Sequence, residues 1–426
     1  VLTGGAVSSL TQRDKFLEHL SGSLAFDTPD IKKGTVSTLL QGELSNEVRD
    51  LLEIRQQASA TSPAKYKVLL KATSADGRLR GTLQYCGASR TGRWGGRLFQ
   101  PQNLPRPAMK QEQIDMGIEA MKLDAEDLLF DNIAELCASA VRGALVSAPG
   151  RKLVVSDLSN IEGRVLAWLA GEDWKIKAFS DFDAGSGHDL YVVAYAKGFN
   201  VDPEVVVQNK KTGDGSMRQY GKTMELACGY QGGIGAFRTM GGPAVEAMTD
   251  EEIEPLVKAW RKSHPNVVSL WYNLERAVKD AIREPGKRRV VRDLAVGYKD
   301  NWLRIKLPSG RYLCYPNTAL VDGKIVYDGV NQYTKKWETL ETYGGKLVEN
   351  VVQAVARDVL ASGMFRAEDA GYEICLHVHD ELITEAPDTA EYSVATLSSL
   401  MATVPGWALG LPLAAAGFET HRYKKD

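Results

Sequence analysis

Asp157 ends the apolar run Leu153-Val154-Val155, and Asp380 sits inside His379-Asp380-Glu381, where a turn is expected. Between them along the chain lie Arg218 and Lys222, four residues apart, followed at the same interval by Leu226 and Tyr230. Two carboxylates can share divalent cations, and two cationic side chains can hold a triphosphate. Together these residue types supply metal-assisted phosphoryl transfer from a nucleotide. Singly each is ordinary, since such an aspartate is usually a cap or turn residue and a basic run is usually a solvated face. The combination carries the reading.

The elements that must position these groups are legible in the spacing. An interval of four keeps Arg218, Lys222, Leu226 and Tyr230 on one slowly drifting helix face and leaves Met217, Met224, Ala227 and Cys228 to pack. The run 153–157 predicts a strand whose last side chain leaves the core, and 374–384 predicts a hairpin turning at His379-Asp380. If these strands are neighbours, the carboxylates converge. Magnesium is commonly held by one or two carboxylates plus phosphates and water, so two aspartates suffice.

Elsewhere, Trp302-Leu303-Arg304-Ile305-Lys306-Leu307, the turn Pro308-Ser309-Gly310 and Arg311-Tyr312-Leu313-Cys314-Tyr315 predict a hairpin, with a second near Asp322-Gly323. A helix is expected from Lys346 to Ala361. Ile114, Met116, Ile118, Met121, Leu128, Leu129, Ile133 and Leu136 predict a pair of helices within 110–146. Leu51, Leu52 and Ile54, then Tyr66, Val68 and Leu69, predict helices broken at Ser62-Pro63.

At 426 residues, 44% hydrophobic and 25% charged, the chain has room for two or three domains of roughly 100 to 200 residues. A formal charge of -2 means that any nucleic-acid site must be locally basic. Candidates are Lys210, Lys211, Arg218 and Lys222, and the run Lys287, Arg288, Arg289, Arg292. The five cysteines are scattered and odd in number, which fits a reducing cytoplasm and not a structural zinc. No signal-peptide pattern and no apolar run of roughly 20 residues is visible, so no membrane partner is expected.

The three segments resemble the motifs of the family A (polymerase I-like) DNA polymerases. Asp157-Leu158-Ser159-Asn160-Ile161-Glu162-Gly163-Arg164 resembles motif A, the series Arg218, Lys222, Tyr230 resembles motif B, and His379-Asp380-Glu381 resembles motif C. Thr91-Gly92-Arg93 with Gln102-Asn103-Leu104-Pro105 is similar to the family's entry into the palm. Glu349-Asn350-Val351-Val352-Gln353 is similar to its helix at the template and primer. These elements span residues 80 to 390.

The resemblance implies an α+β right-hand fold, with an antiparallel palm sheet, helical fingers and a partial thumb. Residues 1–80 would be partial thumb and connection, 81–162 palm with a helical insert at about 110–148, 163–345 fingers with a strand-rich insert at about 290–345, and 346–426 the rest of the palm. The activity implied is template-directed addition of deoxynucleotides to a primer by two magnesium ions, with manganese as a substitute. Asp157, Asp380 and the Leu158 carbonyl would hold the metals, with Glu381 supporting the primer end. Arg218 and Lys222 would bind the triphosphate, and Lys222 would protonate the leaving pyrophosphate. Tyr230 would stack at the template position and pair with Glu162. Glu162 would fill the space of a 2'-hydroxyl, which disfavours the alternative of a single-subunit RNA polymerase. His188, in a segment that aligns through either His188 or Tyr191, would serve as the fingers histidine. Arg93, Gln353 and His379 would read the terminal base pair, and Asn350 would lie at the DNA. A two-metal nuclease, the other alternative, would explain the aspartates but not the cation-aromatic helix.

Three positions depart from the family pattern. Leu226 stands where an aromatic residue is usual, removing a platform whose stacking is worth roughly 1–3 kcal/mol. Gln231 replaces a common glycine, and His377 a common glutamine. The inserts make the chain resemble bacteriophage members, with expression in a bacterial host cytoplasm and a replication helicase or processivity factor as partner. Residues 1–80 are too short for a complete thumb and an exonuclease, so proofreading is expected in a longer gene product or a partner.

Overall fold

Segments from three separated parts of the chain close one four-stranded sheet, in the order Glu373–Val378, Glu381–Pro387, Arg151–Leu158, Ala415–Thr420. The computed structural model of the chain describes all residues except 1, 2, 4, 8–11, 59–63, 105, 213, 214, 243, 244, 246 and 426. The expected break at Ser62-Pro63, and Pro105 of the upstream motif, lie outside the described residues. The first three strands pair antiparallel. Val154, Val155, Leu382, Ile383 and Thr384 are at most 2% exposed, so the expected β-forming run is packed on both faces. A Cβ at position 417 would collide with the Val155 carbonyl oxygen, so glycine permits the last strand's close approach.

This sheet belongs to a unit comprising Leu83–Gly95 and Pro149–Glu419. Its helices include Ile161–Ala170, Asp173–Asp183, Leu190–Phe199, Pro203–Lys211, Ser216–Cys228, Asp250–Ser263 and Pro265–Arg283. Their starts follow local chemistry. Asp189 accepts from the Tyr191 and Val192 amides, Asp202 caps a helix with Pro203 at its first position, and Thr249 and Glu252 form a capping box. The helix expected over 346–361 runs from Gly344 to Asp369 and is buried for most of its length, packing on Pro265–Arg283, Ile161–Ala170 and Val394–Met401. The strand-rich segment forms two antiparallel sheets, one of four strands from Arg289 to Tyr315 and one of three from Ala319 to Thr342.

A second unit comprises Val1–Thr82, Gly96–Ala148 and Thr420–Asp426. Phe16, Leu20, Ile31, Val36, Val48, Leu51 and Leu52 make one small core. The two expected helices of 110–146 are present as Gln111–Lys122 and Ile133–Ala140. Contacts group this segment with residues 1–82, whereas the sequence expectation attaches it to the sheet. Its packed face also differs. Ile114, Gly117 and Ala120 are buried while Met116, Leu128 and Leu129 are exposed, because Leu136 lies over Gly117 where no Cβ would fit.

Candidate active site

The strand register brings the two aspartates to one end of the sheet. Asp157 lies directly opposite Glu381, and the amide of Leu158 donates to the Asp380 carbonyl at 3.2 Å. Directly opposed residues in an antiparallel pair present their side chains on the same face. His379, in the left-handed region at φ 56°, turns the chain so that Asp380 precedes the second strand. Asp157 is exposed, the Asp380 side chain is 20% exposed, and Glu381 is buried.

Burial pushes the Asp380 carboxyl up to about 6. Arg93 at 3.4 Å opposes that shift and the Glu162 carboxylate adds to it. A divalent cation would reverse the imbalance, and the hard oxygen donors of Asp157, Asp380 and the Leu158 main chain fit magnesium or manganese. No group of three or more His, Cys, Asp or Glu side chains suited to a metal occurs among the described residues. Substrate phosphates and water would therefore complete the coordination.

Arg93 also donates to Glu162 at 2.7 Å, and the Tyr230 hydroxyl donates to the other Glu162 oxygen at 3.2 Å. Burial, and then Glu162, hold the Tyr230 phenol well above its usual range, so it stays protonated and keeps donating. Glu162 itself stands in the first turn of Ile161–Ala170, where the helix dipole favours a carboxylate. These hydrogen bonds fix its orientation from both sides.

Trp94, the neighbour of Arg93 in the chain, packs against groups from distant segments, of which Arg357 escaped sequence reasoning. The Arg357 guanidinium lies 4.3 Å from the Trp94 ring centroid and 5.4 Å from that of Tyr85. The His377 ring meets Trp94 edge-on at 4.7 Å, and burial first, then Arg357 and His379, lower its pKa to about 4. His377 is thus a neutral packing group beside the motif. Gln231 sits at φ 67°, where glycine is favoured, and its side chain accepts from the Gly345 amide at 2.9 Å. That bond joins the end of the motif B segment to the start of the long helix.

On Ser216–Cys228, Arg218 donates to Asp189 at 2.7 Å and lies over the Tyr191 ring. His188 is directed elsewhere, with its Nε2 3.6 Å from Glu204 and its side chain 38% exposed. The contact with Arg218 is therefore made by Tyr191, the other residue through which that segment aligns. Lys222 is half-buried and has no ion-pair or hydrogen-bond partner among the described residues. Leu226 is exposed on the same helix.

The long helix places Gln353 half-buried, donating to Glu349 at 3.4 Å, and His379 is exposed at the turn. Asn350 corrects an expectation. It is 4% exposed and donates to the Tyr315 hydroxyl at 3.0 Å, so it joins this helix to the strand-rich segment instead of facing DNA.

Behind the cationic helix lies a buried charge network. Lys175 pairs with Glu225, which also accepts from Trp260 Nε1 at 2.9 Å and lies 3.0 Å from His264 Nε2. Trp260 stacks on His264 with centroids 4.0 Å apart. Nothing in the spacing of Lys175, Glu225 and His264 signals this cluster.

No family model matches the chain. It is 38% identical to the DNA polymerase of Bacillus phage SP02 over 98% of its own length and 63% of that protein. It is 29% identical to the thermostable DNA polymerase I of Thermus thermophilus over 64% of its length and 27% of that protein. Its fold is similar to the POL domain of Pol1 from M. smegmatis, solved in complex with DNA primer-template and dNTP. The TM-score is 0.62 at 18% identity, covering 99% of this chain and 62% of that one. The chain thus spans less than two thirds of the length of these relatives. A phage relative matched across nearly the whole chain and the fold of a polymerase domain agree with the three motif segments: in sequence and in fold the chain is similar to polymerase I-like DNA polymerases.

Proposed function

We propose that the chain carries out template-directed DNA synthesis, adding deoxynucleotides to a primer 3' end with release of pyrophosphate. The observation that carries this reading is the register that sets Asp157 opposite Glu381 and beside Asp380, next to the chain of hydrogen bonds Arg93, Glu162, Tyr230. Two magnesium or manganese ions held by Asp157, Asp380 and the Leu158 carbonyl would activate the primer hydroxyl and neutralise the transferring phosphate. Every other role belongs to side chains of this protein.

Lys222, lacking an ion-pair partner among the described residues, is available to bind the triphosphate and to give a proton to the departing pyrophosphate. Arg218, aligned by Asp189 and Tyr191, holds the phosphate end of the nucleotide. Glu162, clamped by Arg93 and Tyr230, stands beneath the sugar. A ribonucleotide would bring a hydroxyl against a carboxylate that cannot move aside, which selects deoxyribose. Tyr230 lies at the templating position, with Gln353, His379 and Arg93 against the nascent pair. Glu381, buried beside Asp157, supports the primer end from behind.

In the right-hand description, residues 1–80 are partial thumb, 81–162 and 346–426 the palm, and 163–345 the fingers. No described helix is long and apolar enough to cross a membrane. The similarity to a phage polymerase supports phage DNA replication as the setting; a bacterial host cytoplasm and a helicase or processivity factor as partner extend the proposal beyond that similarity. The test is extension of a labelled primer on a longer template with magnesium. Extension with deoxynucleotides and not with ribonucleotides is expected. Release of nucleotides from the primer without any extension would favour a nuclease and overturn the reading.

A further inference from the structure

The sheet formed by Arg289–Val291, Leu294–Lys299, Trp302–Lys306 and Tyr312–Tyr315 buries one face and leaves the other open. Leu294, Val296, Leu303, Ile305, Leu313 and Tyr315 are all buried on one side. On the other, the register aligns Lys306 with Tyr312, Arg304 with Gly297 and Cys314, and Lys299 with Trp302. Residues that pair directly share a face, so three cations and two aromatic rings occupy one surface. Trp302 is 40% and Tyr312 50% exposed, and Lys299, Arg304 and Lys306 are exposed as well.

The charge pattern is one-sided. Asp293 and Asp300, the acids nearest in sequence, lie in the turns between strands. Lys299, Arg304 and Lys306 make no ion pair or side-chain hydrogen bond among the described residues. The neighbouring basic run that stands out in the sequence is different. Lys287 and Arg289 both pair with Glu284, and Arg292 lies against Gly171. A face serving only to fold would gain from opposite charges across the strands. Here each cross-strand partner of a lysine is an aromatic ring or a small residue.

We propose that this open face binds unpaired DNA, as the site for template strand not yet copied. Cations along a sheet can follow a phosphate backbone, and exposed rings between them offer stacking platforms that only unpaired bases can use. The face is also tied to the candidate active site. Arg311, at the start of its last strand, donates to Asp358 and to the Ala354 carbonyl, and its guanidinium lies against Gly92, next to Arg93. The proposal rests on the polymerase reading for the identity of the strand, but binding can be measured without any reaction.

The test is fluorescence anisotropy of labelled oligothymidine with the full chain, without magnesium or nucleotide. The parent is compared with Arg304→Ala/Lys306→Ala and with Trp302→Ala/Tyr312→Ala. All four side chains point to solvent, and unchanged circular dichroism would certify the fold. Each double variant should bind oligothymidine about tenfold or more weakly, in line with the reported size of stacking and phosphate contacts. The charge variant should also lose about 1.4 from the salt-dependence slope, at about 0.7 per cation on single strands, while the aromatic variant keeps it. Binding to blunt duplex should hardly change. Parent-like oligothymidine binding by both variants would overturn the proposal, as would equal losses on duplex. A parent that binds oligothymidine through these residues yet never extends a primer would refute the polymerase reading alone.

Discussion

Lys175→Met tests whether a buried charge network sets the cationic helix in place. Lys175 is 1% and Glu225 6% exposed, so removing the ammonium leaves a carboxylate in the core with the Trp260 indole N–H and His264 beside it. Breaking a buried pair by removing one partner costs about 3–5 kcal/mol. The surviving charge-assisted bond from Trp260 places the expected loss near the lower end, about 3 kcal/mol. Adding Glu225→Gln should recover about 2 kcal/mol, because a neutral amide still accepts from Trp260 and no unpaired charge remains.

The pH dependence has a definite sign. Burial alone would raise the Glu225 pKa, but Lys175 and then His264 outweigh it and hold the carboxyl below its usual 4.5. The parent therefore has this contribution above pH 4.5 and loses it as the pH falls further. In Lys175→Met burial dominates and the pKa rises, so the variant recovers stability as protons neutralise Glu225. Its deficit should be largest at about pH 8 and smaller at about pH 5. Urea unfolding followed by near-ultraviolet circular dichroism at both pH values is the assay. A deficit under about 1 kcal/mol, one that ignores pH, or one that Glu225→Gln fails to relieve would refute the argument.

Glu162→Ala should raise ribonucleotide incorporation relative to deoxynucleotide by about tenfold or more, since it removes the group filling the 2' position; competitive single-nucleotide insertion measures it. Tyr230→Phe removes one hydrogen bond of about 1 kcal/mol to Glu162, so the same assay should show about a fivefold loss of sugar selectivity and no change if that bond is idle. Leu226→Phe restores a stacking platform of about 1–3 kcal/mol, and should speed insertion and admit dideoxynucleotides; rapid-quench kinetics equal to the parent would contradict it.

Local pattern made much of this molecule legible. The Leu153–Asp157 run, the hairpin around His379-Asp380 and the four-residue spacing from Arg218 to Leu226 each follow from local periodicity, whereas Tyr230, expected on the same helix, lies in the turn past its end at Cys228. What escaped depends on contacts between distant segments. Asn350 looks polar and available on a helix, yet Tyr315 from the strand-rich segment satisfies it in the core. His188 is the residue expected in the fingers role, yet Arg218 lies over Tyr191, the other residue through which that segment aligns, and His188 turns toward Glu204. Gln231 reads as a departure from pattern, but its left-handed backbone and its bond to Gly345 show how a side chain offsets the conformational cost of replacing glycine. Met116 lost its expected place in the core because Gly117 offers Leu136 a closer fit.

The central claim is that Asp157 and Asp380 form one catalytic centre for nucleotide addition. Single-turnover primer extension with magnesium and a matched deoxynucleotide tests it most directly, comparing the parent with Asp157→Ala and Asp380→Ala at saturating primer-template. Loss of several kcal/mol of transition-state stabilisation predicts that each variant slows by about a thousandfold or more while binding primer-template as the parent does. Near-parent extension by either variant would contradict the account.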